Sequence, residues 1–141
     1  MLSNWLFAAY ITFHCLLGCV IGEVVGLAIG VSLQLLPIYT MLLATILAFI
    51  TGMLLAVMSV VKNHQTTYSI AIKTVWLGEV VSITVMEITM NSVDYLMGGV
   101  NANSIFDDIF WLALAVSIPA GYIAALPVNY FLIKRNLKKC H

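Results

Sequence analysis

Charge is nearly missing from this sequence. Of 141 residues, six are Lys or Arg and six are Asp or Glu, 9% in all, against 62% hydrophobic. Such a balance lies outside the range of water-soluble domains and points to a chain whose surroundings are lipid. Basic residues are absent before Lys62 and again between Lys73 and Lys134, so there is no electrostatic footprint for nucleic acid. Cysteine is sparse and odd in number, and two of the three lie in an apolar run, which argues against a disulfide framework. The start lacks a basic n-region and a small-residue cleavage site, so residues 1–33 are expected to be a span and not a cleaved leader. No glycine-rich cofactor loop and no nucleophile–base pair is visible either. An enzyme is not expected.

What the chain has is four apolar runs long enough to cross a bilayer, at residues 5–33, 38–61, 70–97 and 106–133. They predict a single all-α integral membrane domain over residues 1–141, folded as a four-helix bundle. Pro37 suits the first turn of the second helix. Thr66, Thr67 or Ser69 could cap the third, and Asp107 and Asp108 suit the start of the fourth. With four spans, both termini and the 62–69 connection share one side. All six Lys and Arg lie there or just inside it, and none lies opposite. By the positive-inside rule both termini are expected in the cytoplasm, with the bacterial inner (cytoplasmic) membrane as the location.

The first run, HCLLGCVIGEVVGLAIG from His14, carries two stripes. Gly18, Gly22, Gly26 and Gly30 recur every fourth residue, the small-xxx-small spacing that lets another helix approach closely. One step along, Cys15, Cys19 and Glu23 stack on a second face. A four-helix bundle has little room for a private pathway, so a homo-oligomer packed on the glycine stripe is expected.

The shared orientation of the first and third spans allows depths to be compared. Glu23 lies about four residues, ~6 Å, outward of the first midpoint, and Glu87 sits at a similar level in the third. Asn91 and Asp94 continue the Glu87 face outward, while Glu79 falls in the inner half. A charge at the bilayer centre costs ~2.5–3.5 kcal/mol on insertion scales. Protonating a glutamate at pH 7 costs a similar ~3–4 kcal/mol. Glu23, Glu79 and Glu87 are therefore either neutral and bonded to residues such as Thr51, Ser82 or Asn129, or they share a cation. Glu79, Asn91 and Asp94 are candidates for a proton or cation relay.

Soft donors lie beside these acids. Met86 and Met90 form an i, i+4 pair flanking Glu87, and thiols and thioethers favour Cu(I). His14, Cys15, Cys19, Glu23, Met86, Glu87 and Met90 make a candidate metal site between the first and third helices. Cys140 and His141 at the chain end are candidate tail ligands. Pro119 and Pro127 in the fourth span remove helix hydrogen bonds, as in the broken or hinged helices of transporters.

The run His14-Cys15-x2-Gly18-Cys19-x2-Gly22-Glu23, then Met86-Glu87 with Asn91, then Pro127-x-Asn129, resembles a bacterial family of small four-span membrane proteins, domain of unknown function 4396. The resemblance covers essentially the whole chain and implies fold and site positions, with no activity attached. Where that family commonly carries Asp-Asn, this chain has Met90-Asn91, a softer pair. The methionine pair, glycine stripe and Cys-His end are also similar to parts of the trimeric Ctr copper transporters, which have three spans. The leading expectation is therefore metal-ion binding or transport, Cu(I) favoured. One rival is a proton-coupled small-molecule transporter similar to the four-span small multidrug-resistance proteins, which carry a glutamate in the first helix. The other is a non-transporting membrane assembly subunit.

Overall fold

The computed structural model describes residues 2–136. Cys140 and His141, the candidate tail ligands, lie outside them. Four helices make up the chain: α1 (Leu2–Ser32), α2 (Pro37–His64), α3 (Tyr68–Met97) and α4 (Asp108–Lys134), with a short 3₁₀ turn, Gly99–Asn101, before α4. Each is long and apolar enough to cross a membrane. The chain is a four-helix membrane protein.

The helix ends follow local chemistry. Pro37 sits in the first turn of α2, where its missing N–H is no loss. Gln34 and Gln65 adopt left-handed backbone (φ 53° and 48°) in the two tight connections. Thr67 is the N-cap of α3, though its side chain makes no capping bond. Gly98 ends α3 at φ +86°, a conformation that glycine adopts without strain. Asp107 precedes α4, but its Oδ2 accepts from the amides of Asn103 (2.9 Å) and Ser104 (3.2 Å), so it shapes the loop and not the helix. Despite Pro119 and Pro127, α4 runs on as one helix.

The helices form a ring in chain order, α1 against α2, α2 against α3, α3 against α4 and α4 back against α1. α1 and α3 meet across one diagonal, while α2 and α4 stand apart on the other. Large apolar side chains such as Leu42, Ile88 and Ile123 point outward, as lipid-facing surface should.

The glycine stripe of α1 lies against α2. A Cβ at Gly22 would run into the backbone of Leu47 and Ala48, and one at Gly26 into the backbone of Ala44. At Gly18 it would lie 2.8 Å from the Gly52 Cα, and at Gly30 2.5 Å from the Thr40 side chain. Each step of four up α1 is answered by a step of four down α2, through Thr40, Ala44, Ala48 and Gly52. Thr51 closes the seam by donating to the Gly18 carbonyl at 2.6 Å. Gly18, Gly22, Gly26 and Gly30 do pack a helix, as expected, but the neighbour is α2 of the same chain, so the expectation of a homo-oligomer packed on this stripe is corrected. Its partner was written in α2 as a matching period-four row of small residues.

α4 is fastened to α1 by polar links near the end of the bundle where α1 begins and α4 finishes. Asn129 Nδ2 donates to Thr12 Oγ1 at 2.8 Å, and Thr12 donates to the Ala8 carbonyl at 2.6 Å. Tyr122 reaches the Ala9 carbonyl at 3.2 Å, and Trp5 stacks on Tyr130 with ring centroids 4.1 Å apart. At the other end Gln34 Nε2 donates to the Val31 and Asn103 carbonyls (2.7 and 2.8 Å), tying α1 to the loop. Val100 and Ala102 of that loop are buried with Leu27, Val31 and Phe110, which closes this end of the bundle.

Candidate functional site: a polar seam between α1 and α3

The buried face of α3 alternates three- and four-residue steps and carries Glu79, Ser82, Met86, Glu87, Met90, Asn91 and Asp94. Half of a helix face normally given to packing is therefore polar. It meets the Cys15–Cys19–Glu23 face of α1 across the diagonal, and three zones follow one another along the two helices toward the 98–107 loop.

Farthest from that loop is a thiol–carboxyl contact. Cys15 Sγ donates to Glu79 Oε2 at 3.3 Å and lies 3.7 Å from Ser82 Oγ. Glu79 is 1% exposed.

Next comes sulfur. Cys15, Cys19, Met86 and Met90 belong to one buried cluster with Leu16, Ala48, Ile83 and Ala125. Both cysteines are free thiols, and Cys19 interacts with Cys15 one turn away. The sulfurs do not converge on one point, however. Cys19 Sγ lies beside Gly52 of α2, while Met90 Sδ lies beside Gly121 of α4, on the other flank of the seam.

Nearest the loop is oxygen. The carboxyls of Glu23 and Glu87 face each other from α1 and α3, and Asp94 acts on Glu23 from farther out. Asn91 Nδ2 donates to Thr45 Oγ1 at 3.0 Å and to the Glu87 carbonyl at 2.9 Å, and approaches Glu87 Oε2 at 3.4 Å. Beyond that, both oxygens of Glu23 and of Asp94, Glu87 Oε1 and Asn91 Oδ1 are buried without a partner of good hydrogen-bond geometry. A buried polar group left unsatisfied costs about 1–3 kcal/mol. Six such oxygens in one zone are a burden that packing does not explain.

His14 stands apart from this seam. One residue along a helix turns the side chain by about 100°, and His14 lines a separate cavity of about 480 Å³ with Tyr10, Leu55, Met58 and Lys62. Of the expected bonding partners, Ser82 reaches Cys15, Thr51 is turned to the Gly18 carbonyl and Asn129 to Thr12. Thr45 was not anticipated from the sequence, where it stands as a single hydroxyl in the apolar run 41–50 of α2. Among the described residues, no three His, Cys, Asp or Glu side chains come together closely enough to hold a metal ion.

Bundle and seam together define a polytopic helical membrane protein with a buried acidic centre. Residues 4–138 match the family described as Domain of unknown function (DUF4396), and the chain belongs to that family. No curated protein and no solved structure matches it.

Proposed function

We propose that this chain is a proton-coupled membrane carrier in which Glu23 and Glu87 take up and release the proton. The observation that carries the reading is the facing pair itself, with its unpartnered oxygens. Two carboxyls that meet in a dry interior are stable only with a proton or a cation between them, because two bare charges repel and neither is solvated. The pair lies between two packed zones, the sulfur cluster on its inner side and the Val100–Phe110 plug on its outer side. Passage to either membrane face requires one zone to loosen while the other holds, which is the behaviour of an alternating-access carrier. Glu79, Asn91 and Asp94 then serve as relay groups. The reading makes the chain a carrier and not an enzyme. The Lys and Arg bias supports the bacterial cytoplasmic membrane with both termini inside; a reporter fused after His141 should read cytoplasmic and one within residues 99–107 external, and a mixed result would remove that orientation.

A second reading, Cu(I) binding or transport, is favoured by one observation, the gathering of Cys15, Cys19, Met86 and Met90 in a single cluster. It requires the sulfurs to turn toward one another. Proton uptake and Cu(I) binding measured on the same purified samples separate the two. Proton exchange predicts reversible uptake that is lost in Glu23→Gln and Glu87→Gln and kept in Cys19→Ser. Stoichiometric Cu(I) lost in Cys19→Ser, with proton uptake indifferent to both glutamates, would overturn it.

A further inference from the structure

Between α2 and α3, in the outer half of the bundle, lies a groove of about 400 Å³. Leu42 and Phe49 of α2 and Ile88 and Tyr95 of α3 form its walls. Leu42, Ile88 and Tyr95 are each more than half exposed, so the mouth opens sideways, where lipid would lie. The floor is different in kind, formed by Thr45, Glu87 and Asn91. Among the described residues, Glu87 is the one ionisable residue of its lining apart from the Tyr95 phenol, and no Lys, Arg or His faces it.

We infer that this groove binds a monovalent organic cation with an apolar, aromatic body, entering from the membrane and held by Glu87 as its counter-ion. The volume falls in the range of about 300–1,000 Å³ that takes drug-sized molecules. A lipid tail would have no use for a carboxyl at the bottom of its slot, and a helix of a second copy would only lay more apolar side chains over Glu87, whose Oε1 is already buried without a partner. A cation satisfies the orphan oxygen and leaves its body among Leu42, Phe49 and Ile88. The Phe49 and Tyr95 rings add faces on which a cation is attracted.

The inference rests on the proton-carrier reading and deepens it by naming the substrate class. Glu87 touches the groove on one side and Glu23 on the other, so one carboxyl can hold either the proton or the organic cation. Arrival of the cation releases one proton and its departure takes one back. The groups bearing on Glu87 are Glu23 and Cys19 from α1 and the neutral Thr45 from α2, with Asn91 and Asp94 further along α3. Among the described residues no ionisable side chain of α2 or α4 acts on it.

Equilibrium dialysis of the detergent-solubilised full chain with tetraphenylphosphonium tests this. Saturable binding of one cation per chain is expected, weakening up to tenfold per unit as the pH falls through the range where the proton competes. Glu87→Gln should weaken it at least tenfold. Ile88→Trp, placed on the exposed rim where folding is not at stake, should block the mouth and do the same. Binding unchanged in Ile88→Trp, binding only after an assembly of copies is taken apart, or no saturable binding would each overturn the groove. Proton uptake by the ligand-free protein is scored separately. If it depends on Glu23 while the phosphonium does not bind, the carrier reading survives and the groove falls. If the phosphonium binds through Glu87 and Ile88 while proton uptake ignores Glu23, the groove stands and the paired-carboxyl reading fails.

Discussion

Gly22→Leu should leave no folded protein in detergent. At this position α1 and α2 touch backbone to backbone, so a Cβ meets the Leu47 and Ala48 main chain and not a side chain that could swing away. Overpacking by even a methylene or two costs about 1–3 kcal/mol where neighbours can adjust. A leucine has no such outlet here, and relieving it means parting the two helices along the whole stripe, since Gly18 and Gly26 depend on the same separation. The penalty then approaches the stability of an ordinary domain, about 5–15 kcal/mol. Gly52→Ala makes the control. Its new methyl meets only side-chain atoms, Ile83 Cδ1 at 3.0 Å and Cys19 Sγ at 3.2 Å, which can give by a few tenths of an ångström, so the loss should be far smaller. Size-exclusion profiles and thermal unfolding of both variants decide the matter. A wild-type profile for Gly22→Leu would mean that α1 and α2 do not pack on this seam.

Glu23→Leu should do the reverse to stability and end transport altogether. The Glu23 carboxyl is fully buried, and neither oxygen has a well-placed donor. A buried polar group left without a partner costs about 1–3 kcal/mol, and an apolar residue of similar volume removes that cost. The variant should therefore melt higher while carrying no protons. Asn129→Leu should move the other way, because it removes the 2.8 Å bond that holds α4 to Thr12 of α1; inter-helix bonds of this kind are worth about 0.6–2 kcal/mol in membranes. A Glu23→Leu protein that melts lower than wild type would make Glu23 a structural residue. Sites that sacrifice stability for chemistry are expected to show this opposition.

Much of this was legible in the sequence because lipid imposes a simple rule on long apolar runs. All four spans appear within a few residues of the expected bounds, and the similar depth of Glu23 and Glu87 follows from rise per residue and shared direction alone. The glycine stripe was legible as a contact face, but its partner was not. A small-residue face looks the same whether it meets the next helix or another copy, and only the answering row on α2 tells them apart. His14 failed to join the site for an equally local reason, since its neighbour Cys15 faces α3 and a single residue's rotation sends the imidazole elsewhere. The sulfur donors share a cluster, as their spacing suggested, yet Cys19 and Met90 point to opposite flanks. Periodicity fixes the face of a helix and leaves the side-chain direction within that face to packing. The groove between α2 and α3 had no sequence signature, because its walls are ordinary lipid-facing residues and its floor belongs to the seam.

Proton flux in vesicles reconstituted with the full chain tests the central claim most directly. With an imposed pH gradient and tetraphenylphosphonium present on one side, wild-type protein and Cys19→Ser should dissipate the gradient. Glu23→Gln and Glu87→Gln, which keep the side-chain shape and lose the titrating oxygen, should each reduce the flux to that of empty vesicles. Equal flux from wild type and from both glutamine variants would contradict a proton carried by the Glu23–Glu87 pair.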